Sequence, residues 1–483
     1  MNITKKTKIV CTIGPSSDTY ERCLELYNAG MNVMRINFSH GSYEEHLKKI
    51  EISQRLYKEE GIIIPIMLDT KGPEIRTHCF KDGVAHFDTD QEVRISMTEV
   101  LGTTEKFSVT YSDLFNDVEV GHHIKLDDGY LDMIVTKKDY ENNEIVCRAL
   151  NHHTVKDRRG VNCPETEIQM PYISEKDFND ITWGTQHDVT FIAASFVRTK
   201  EDVLAIRKIL LDNNRPDMRI ISKIENPQAL ANIDSIIEVS DGIMVARGDL
   251  GVEIPAEDVP VAQRNLIEKC RVAGKPVITA TQMLDSMKTN PNPTRAEVSD
   301  VANAVLMTTD SVMLSAESAS GEYPIESCSM QAKIAYKIEN YLPYSQLAQE
   351  AFETSNKNNN DAISNAIATT AILIGAKLIV CLTETDESIS RLSKARPCCP
   401  IISVSNDMKL CKGDALKWGV YPIYIPYIPQ LIEEMEVFAL MKARQLGIPS
   451  GSPIILTGGS PTGSKNTNFM KIINVNDIKE VDL

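Results

Sequence analysis

The sequence predicts an α/β protein of three parts: a (β/α)8 TIM barrel, an inserted β-barrel lid domain and a C-terminal α/β domain. Three observations lead there. Short β-branched runs alternate with helical segments eight times. The third and fourth runs stand about 120 residues apart, far beyond an ordinary connection. A second alternation of strands and helices follows residue 343.

The eight runs are KIVCTIG (8–14), NVMRINF (32–38), IIPIMLDT (63–70), TFIAASF (190–196), RIISKIE (219–225), GIMVARG (242–248), PVITATQ (276–282) and SVMLSAE (311–317). Nearly continuous apolar runs suit strands buried on both faces of a parallel sheet. Eight such units point to a closed barrel, with a doubly wound open sheet as the alternative. The first helix carries its own punctuation: Asp18 with Glu21 as a capping box, and Gly30 as its stop. The long gap holds alternating runs of its own, VRISM, HIKLDD, LDMIV and EIVCRAL, with turn signals at Asp128-Gly129 and Asn142-Asn143. Residues 73–170 therefore read as a β domain inserted over the barrel mouth, leaving 1–72 and 171–343 to the barrel. Residues 344–483 form the third domain, where the Asn-rich ETSNKNNND (353–361) leads into LIVCLT, PIISVS, VYPIYI and PIILTG.

Composition narrows the function. A net charge of −16 argues against nucleic acid, which selects a basic face. The longest strongly apolar stretch, Ile62 to Leu68, is short and contains Pro65, so a membrane span is not expected. MNITKKTKIVCTIG has too short an apolar run for a signal peptide, and 11 cysteines without a CxxC fit reduced thiols. The expectation is a cytoplasmic protein.

Chemistry collects at the C-terminal ends of the barrel strands, where barrel active sites lie. Arg35, Asn37 and Ser39, at i, i+2 and i+4, share one face of the second strand. Asp69 and Thr70 end the third, Lys223 and Glu225 the fifth, and Arg247-Gly248-Asp249 the sixth. Thr281 ends the seventh, and Ser315 with Glu317 the eighth. Phosphoryl transfer needs cations around the equatorial oxygens and a carboxylate-held metal. Glu225 and Asp249 are oxygen ligands suited to Mg2+. Lys223 is a point charge for the transferred group, Arg35 can fork onto phosphate, and Gly248 can offer backbone N–H.

Six blocks then carry a resemblance: MRINFSHG (34–41), LDTKGPEIRT (68–77), ISKIEN (221–226), MVARGDLGVE (244–253), TATQMLDSM (279–287) and PTRAEVSDVANAV (293–305). In order and spacing the chain resembles the pyruvate kinase family, in the bacterial form without an extra C-terminal domain. The resemblance implies transfer of a phosphoryl group from phosphoenolpyruvate to ADP in glycolysis, by a homotetramer using Mg2+ (or Mn2+) and K+. Lys223 would stabilise the transferring group, with Thr281 and Ser315 near the enolate. Glu225 and Asp249 would hold Mg2+. Arg35, Gly248, Asp249 and Thr281 would bind phosphoenolpyruvate, and Asn37, Ser39, Asp69 and Thr70 would ligate K+. Arg76, Arg159 and His40 would meet the nucleotide, and Asp128 of the lid would approach on closure. Glu74 stands where K+-independent members carry lysine. A Mg2+-dependent barrel aldolase or lyase acting on a pyruvate enolate is the alternative function, and a catalytically silent descendant a further one.

Some positions depart from the family. His78, Asn292, Met307-Thr308 and Ala316 replace its usual residues, and Arg159 replaces a common lysine. The GGSPTGSK segment (458–465) has the wrong residue order for a P-loop. The pairs His122-His123 and His152-His153 lack metal spacing and read as solvated loops. Thr383 to Ser388, the loop that in the family receives a phosphorylated effector, carries three carboxylates, with Arg391, Lys394 and Lys465 as the available cations. Like charges about 4 Å apart repel by roughly 4 kcal/mol at an effective dielectric near 20. Fructose 1,6-bisphosphate is therefore expected to activate little or not at all. A several-fold drop in half-saturation by phosphoenolpyruvate on adding the sugar bisphosphate, lost on mutating 383–388, would show the opposite.

Overall fold

A computed structural model of the chain describes residues 3, 5–460 and 467–475. All eight expected runs form parallel strands: Lys8–Thr12, Val33–Asn37, Ile66–Asp69, Phe191–Ala194, Arg219–Ile224, Gly242–Ala246, Val277–Ala280 and Ser311–Leu314. Each pairs with its neighbours in sequence order, and the first closes on the last through Lys8↔Ser311 to Cys11↔Leu314. The sheet is closed. The open-sheet alternative falls, because a free edge would leave a row of unpaired N–H and C=O groups.

Alternation along each strand sorts its side chains. Ile9 and Cys11 pack outward against the helices, while Val10 points inward with Val33, Met67, Ala193, Ile221 and Met313. The inward row advances by two residues, so it reaches Thr12, Arg35, Asp69, Ser195, Lys223 and Ser315 at the C-terminal mouth. An apolar floor thus passes directly into a polar rim. Leu416, from the third domain, is fully buried with this floor and plugs the opposite end of the barrel.

The first helix, Tyr20–Ala29, is capped by Thr19, whose side chain accepts from Arg22 N–H, rather than by Asp18. Gly30 does end it, at φ 127°, a conformation that only glycine adopts without strain. The insert holds a seven-stranded sheet, antiparallel except for Glu92–Ser96 beside Lys106–Ser108, and a two-stranded sheet of Val84–Phe87 with His153–Lys156. Its edge strands meet around a Thr77↔Val109 bridge, where Thr110 N–H donates to Arg76 O and His78 N–H to Ser108 O. The sheet therefore curls shut into a small barrel around Phe87, Phe107 and Leu126.

The third domain holds a five-stranded sheet. Four parallel strands match the expected runs, and Phe469–Asn474 adds an antiparallel edge. Asp386 is not a solvated loop carboxylate. It begins the helix Asp386–Lys394 and turns toward the barrel, 2.5 Å from both Arg219 and Lys417. Glu384 remains exposed in that loop and Glu387 on the first turn of the helix, Arg391 is held by Asp361 and Glu387, and Lys465 lies outside the described residues.

Leu416→Ala removes the plug from the barrel floor. A buried leucine truncated this way costs about 2–5 kcal/mol. A clear fall in the Tm followed by circular dichroism is expected, and an unchanged Tm would show that the floor packs without it.

Candidate active site

Four charged groups interlock at the barrel mouth. Arg35 Nε donates to Asp69 Oδ2 at 2.6 Å, and a further Arg35 nitrogen donates to Thr12 Oγ1 at 2.9 Å. Lys223 Nζ lies 3.2 Å from Asp69 Oδ1, 3.0 Å from Glu225 Oε1 and 2.8 Å from Ser195 Oγ. Ser195 Oγ also donates to the Thr70 carbonyl at 2.7 Å. Both carboxylates are buried, each 1% exposed. Burial opposes the charge on Asp69, yet Arg35 and Lys223 outweigh it and hold the carboxyl below its usual range. Burial likewise opposes the Lys223 ammonium, but Asp69, Glu225 and Asp249 raise its pKa above the ordinary lysine value. Burial pushes the Glu225 carboxyl up, with Asp249 adding to the push and Lys223 opposing it.

The sequence-based list skipped two of the eight strand ends. Those two supply Thr12 and Ser195, the hydroxyls that hold Arg35 and Lys223. The same end-of-strand rule would have found both. Arg247 moves the other way. It is tied to Asp300 at 2.7 Å and to the Ala280 and Thr281 carbonyls, so it braces the seventh strand end rather than joining the charge cluster. Bracing is needed there, because Thr281 and Gln282 sit at φ 67° and 52°. Left-handed residues other than glycine cost about 1–3 kcal/mol each. Gly248 N–H donates to Thr281 Oγ1 at 2.7 Å, and Glu317 accepts from Leu284 N–H and Ser315 N–H.

Asn37 stands opposite Asp69 in the strand register, and its Oδ1 accepts from Ser39 N–H at 3.0 Å. Asn37, Ser39, Asp69 and Thr70 thus lie on adjoining strand ends and offer only hard oxygens. Asp249 makes no hydrogen bond or ion pair among the described residues, although it acts electrostatically on Glu225 and on Asp128. An unpaired carboxylate facing a second one is an arrangement that a cation would neutralise. Among the described residues no group of three His, Cys, Asp or Glu side chains could hold a metal, so two carboxylates would share an ion with non-protein oxygens, as Mg2+ prefers.

The insert reaches the same mouth. Asn162 Nδ2 donates to Glu253 Oε1 at 2.6 Å, and Lys125 Nζ to the Val252 carbonyl at 2.8 Å, latching the insert to the helix Arg247–Glu253 that carries Asp249. Between them lies a cleft of about 480 Å3, with Glu74, Asp128, Phe196, Asn226 and Asp249 in its walls. Arg76 and Arg159 do not line it. Arg76 pairs with Glu74 at 2.7 Å, and Arg159 leans on Asp127 at 3.4 Å. The same Asp127 accepts from or pairs with His153 at 2.9 Å, so His153 is a strand residue buttressing Arg159 rather than a solvated loop residue. His123, on a strand too, pairs with Asp132. His40 is exposed, and among the described residues it has no hydrogen bond or ion pair to the charge cluster. The departures lie elsewhere: His78 bonds Ser108 in the insert, Asn292 is exposed, Ala316 opens a short helix, and Thr308, after the helix-capping Met307, bonds Arg396.

Comparison with known proteins settles the family. The pyruvate kinase barrel-domain model matches residues 4–328, and the pyruvate kinase alpha/beta-domain model matches residues 361–473. The chain belongs to the pyruvate kinase family. A pyruvate kinase of Geobacillus stearothermophilus is 45% identical over 475 residues, covering 98% of this chain and 81% of that protein. One from Staphylococcus haemolyticus is 47% identical over the same length and coverage. The crystal structure of a pyruvate kinase from Cryptosporidium parvum superposes with a TM-score of 0.91 at 38% identity, covering 98% of this chain and 96% of that one. The chain is therefore an enzyme of this family, and the aldolase or lyase alternative finds no support among these relatives. No helix among the described residues is long and apolar enough to cross a membrane.

Ser195→Ala deletes the hydroxyl that Lys223 uses. A hydrogen bond to a charged group is worth about 1.5–3 kcal/mol, roughly a 10- to 160-fold loss in kcat/KM for the family's reaction. Steady-state kinetics on the folded variant would show it, and unaltered kcat/KM would reduce Ser195 to a packing residue.

Proposed function

We propose that this enzyme transfers the phosphoryl group of phosphoenolpyruvate to ADP, giving pyruvate and ATP, as a cytoplasmic homotetrameric phosphotransferase of glycolysis. One observation carries the reading: two cations, Arg35 and Lys223, are held by one buried carboxylate at the mouth, beside an unpaired Asp249. Two positive and three negative side chains, Asp69, Glu225 and Asp249, leave this cluster formally one charge negative. A divalent and a monovalent cation together would turn it positive and fit it to an anionic phosphate ester.

In this reading Glu225 and Asp249 would hold Mg2+ (or Mn2+), and Asn37, Ser39, Asp69 and Thr70 would hold K+. The ions, when bound, supply charge neutralisation at the phosphoryl oxygens. Arg35 swings its fork from Asp69 to the phosphate, while Gly248 N–H, Asp249 and Thr281 orient the carboxylate end. Arg76, Arg159 and His40 take the nucleotide. An ADP β-phosphate oxygen attacks phosphorus, and the bond from phosphorus to the enol oxygen breaks. Lys223 follows the transferring charge, which it can do because its three acceptors already hold it in place. The enolpyruvate then takes a proton near Thr281 and Ser315, completing pyruvate.

Lys223→Met removes the point charge and keeps the stem. A loss of at least ~3 kcal/mol of transition-state stabilisation is expected, about 100-fold or more in kcat, with a much smaller change in KM. Near-native turnover in a coupled ATP-formation assay would refute the role.

The second expectation concerns the monovalent ion. Glu74 bonds Arg76 at the entry to the insert and lines the cleft, and the family's K+-independent members carry an ammonium group there. Activity is expected to require K+, and Glu74→Lys to relax that requirement. Full activity of the unaltered protein in buffer free of sodium and potassium would refute it.

A further inference from the structure

We propose that Lys125 and Asn162 of the insert are positioning residues for Asp249, so that seating the insert and placing this carboxylate are one event. The proposal rests on the reading of Asp249 as a Mg2+ ligand and adds what holds it in place. Lys125 and Asn162 stand opposite each other in the register of two antiparallel strands, His123–Leu126 and Gly160–Asn162. Residues paired in this way project from the same face of a sheet. Both side chains reach the helix Arg247–Glu253, Asn162 Nδ2 at Glu253 Oε1 and Lys125 Nζ at the Val252 carbonyl.

That helix depends on outside contacts. It has 7 residues, far short of the roughly 12–15 at which an isolated helix becomes even marginal in water. Its first turn is tied to the barrel, through Arg247 to the Thr281 carbonyl and through Gly248 N–H to Thr281 Oγ1, each at 2.7 Å. Leu250 is buried beneath it. Carbonyls in the last turn of a helix lack partners within it, and a cation is favourable at that end of the dipole. Lys125 supplies both needs at Val252. Asp249 lies between the two anchorages, without a hydrogen bond or ion pair of its own among the described residues. Where its carboxylate stands therefore follows from where the helix stands.

The turn that follows Lys125 meets the same helix end. Asp127 and Asp128 sit at φ 51° and 55°, a left-handed conformation that persists in residues other than glycine only where the surroundings enforce it. Gly129 follows at φ 82°, and a Cβ there would lie 3.3 Å from Val252 Cγ1. The tip of the insert is thus shaped against Val252 by its backbone as well as by two side chains. Charge adds a reason for the pair. Asp249 and Glu253, at i and i+4, share a helix face, where like charges repel. Asn162 bonds Glu253, and the Lys125 ammonium acts on it electrostatically, so both oppose that repulsion. Bonds that served only to fasten the insert could end anywhere on the barrel rim. Both end within one helical turn of Asp249.

The test compares the full-length enzyme with Lys125→Met, Asn162→Ala and Lys125→Arg. Hydrogen exchange of the amides of 247–253, followed by mass spectrometry, reads how firmly the helix is held. Titration of Mn2+, followed by the electron paramagnetic resonance of the free ion, reads metal affinity. Both truncations should exchange faster over 247–253 and lose about 10-fold in Mn2+ affinity, the low end of what residues behind a metal's direct ligands are worth. Lys125→Arg should recover most of both, because its guanidinium still donates to the Val252 carbonyl. Unchanged exchange and affinity in the truncations would overturn the proposal. So would faster exchange with unaltered Mn2+ affinity, which would reduce the two residues to fasteners of the insert. Neither readout uses a substrate, so both stand whether or not ATP forms from phosphoenolpyruvate and ADP. Mn2+ bound as tightly by Asp249→Asn would sink the metal reading itself, and this proposal with it.

Discussion

Asp69 lies at the end of the third barrel strand with both carboxylate oxygens in use, one on Arg35 and the other on Lys223 and Ser195. Taking such a charge out of water is costly unless it is paired and hydrogen-bonded, and breaking one partner away leaves the rest uncompensated. Removing Asp69 would leave Arg35 with Thr12, and Lys223 with Ser195 and Glu225. The two cations would then repel each other across the mouth. Their position, and with it the geometry open to a phosphate, depends on this one carboxylate.

The closed barrel is what lets a single carboxylate reach so many partners. Parallel strands in sequential register bring their C-terminal ends to one level, so Arg35, Asp69, Ser195 and Lys223 come from four strands that follow one another around the ring. The insert leaves this ring at the mouth, and Gly72 fits there because a Cβ would lie 2.9 Å from Ser195 Cβ and Phe196 Cδ2. A larger residue at 72 would push on Ser195, and through it on Lys223. Entry to the insert and placement of Lys223 are thus one packing problem.

At the opposite face the third domain docks through charge and one apolar plug. Arg219 begins the strand that carries Lys223 and leads into Glu225, and it bonds Asp386 and the Gly413 carbonyl. Lys412 pairs with Asp188 at 2.6 Å and Lys409 with Asp217 at 3.1 Å, so cations of one helix meet acids of the barrel. Partly exposed pairs of this kind are worth little singly. Leu416 in the floor and the buried Arg396–Asp310 pair give the interface its specificity.

Much of this was legible along the chain. Eight apolar runs with period-two alternation dictate inward rows of side chains, and polar residues two positions beyond a buried one must surface at the mouth, whatever the loops do. Strand type, strand number and most of the cluster follow from that local rule, and the family motifs add the order. Tertiary structure decided the rest. Whether Arg247 faces the cleft or braces Thr281, whether Asp386 is free in its loop or paired with Arg219, and whether His153 is idle or holds Asp127 all turn on residues distant in sequence. A charged side chain is long and can point several ways from the same backbone position. Its partner is chosen by the fold that surrounds it, because only there do desolvation and pairing compete.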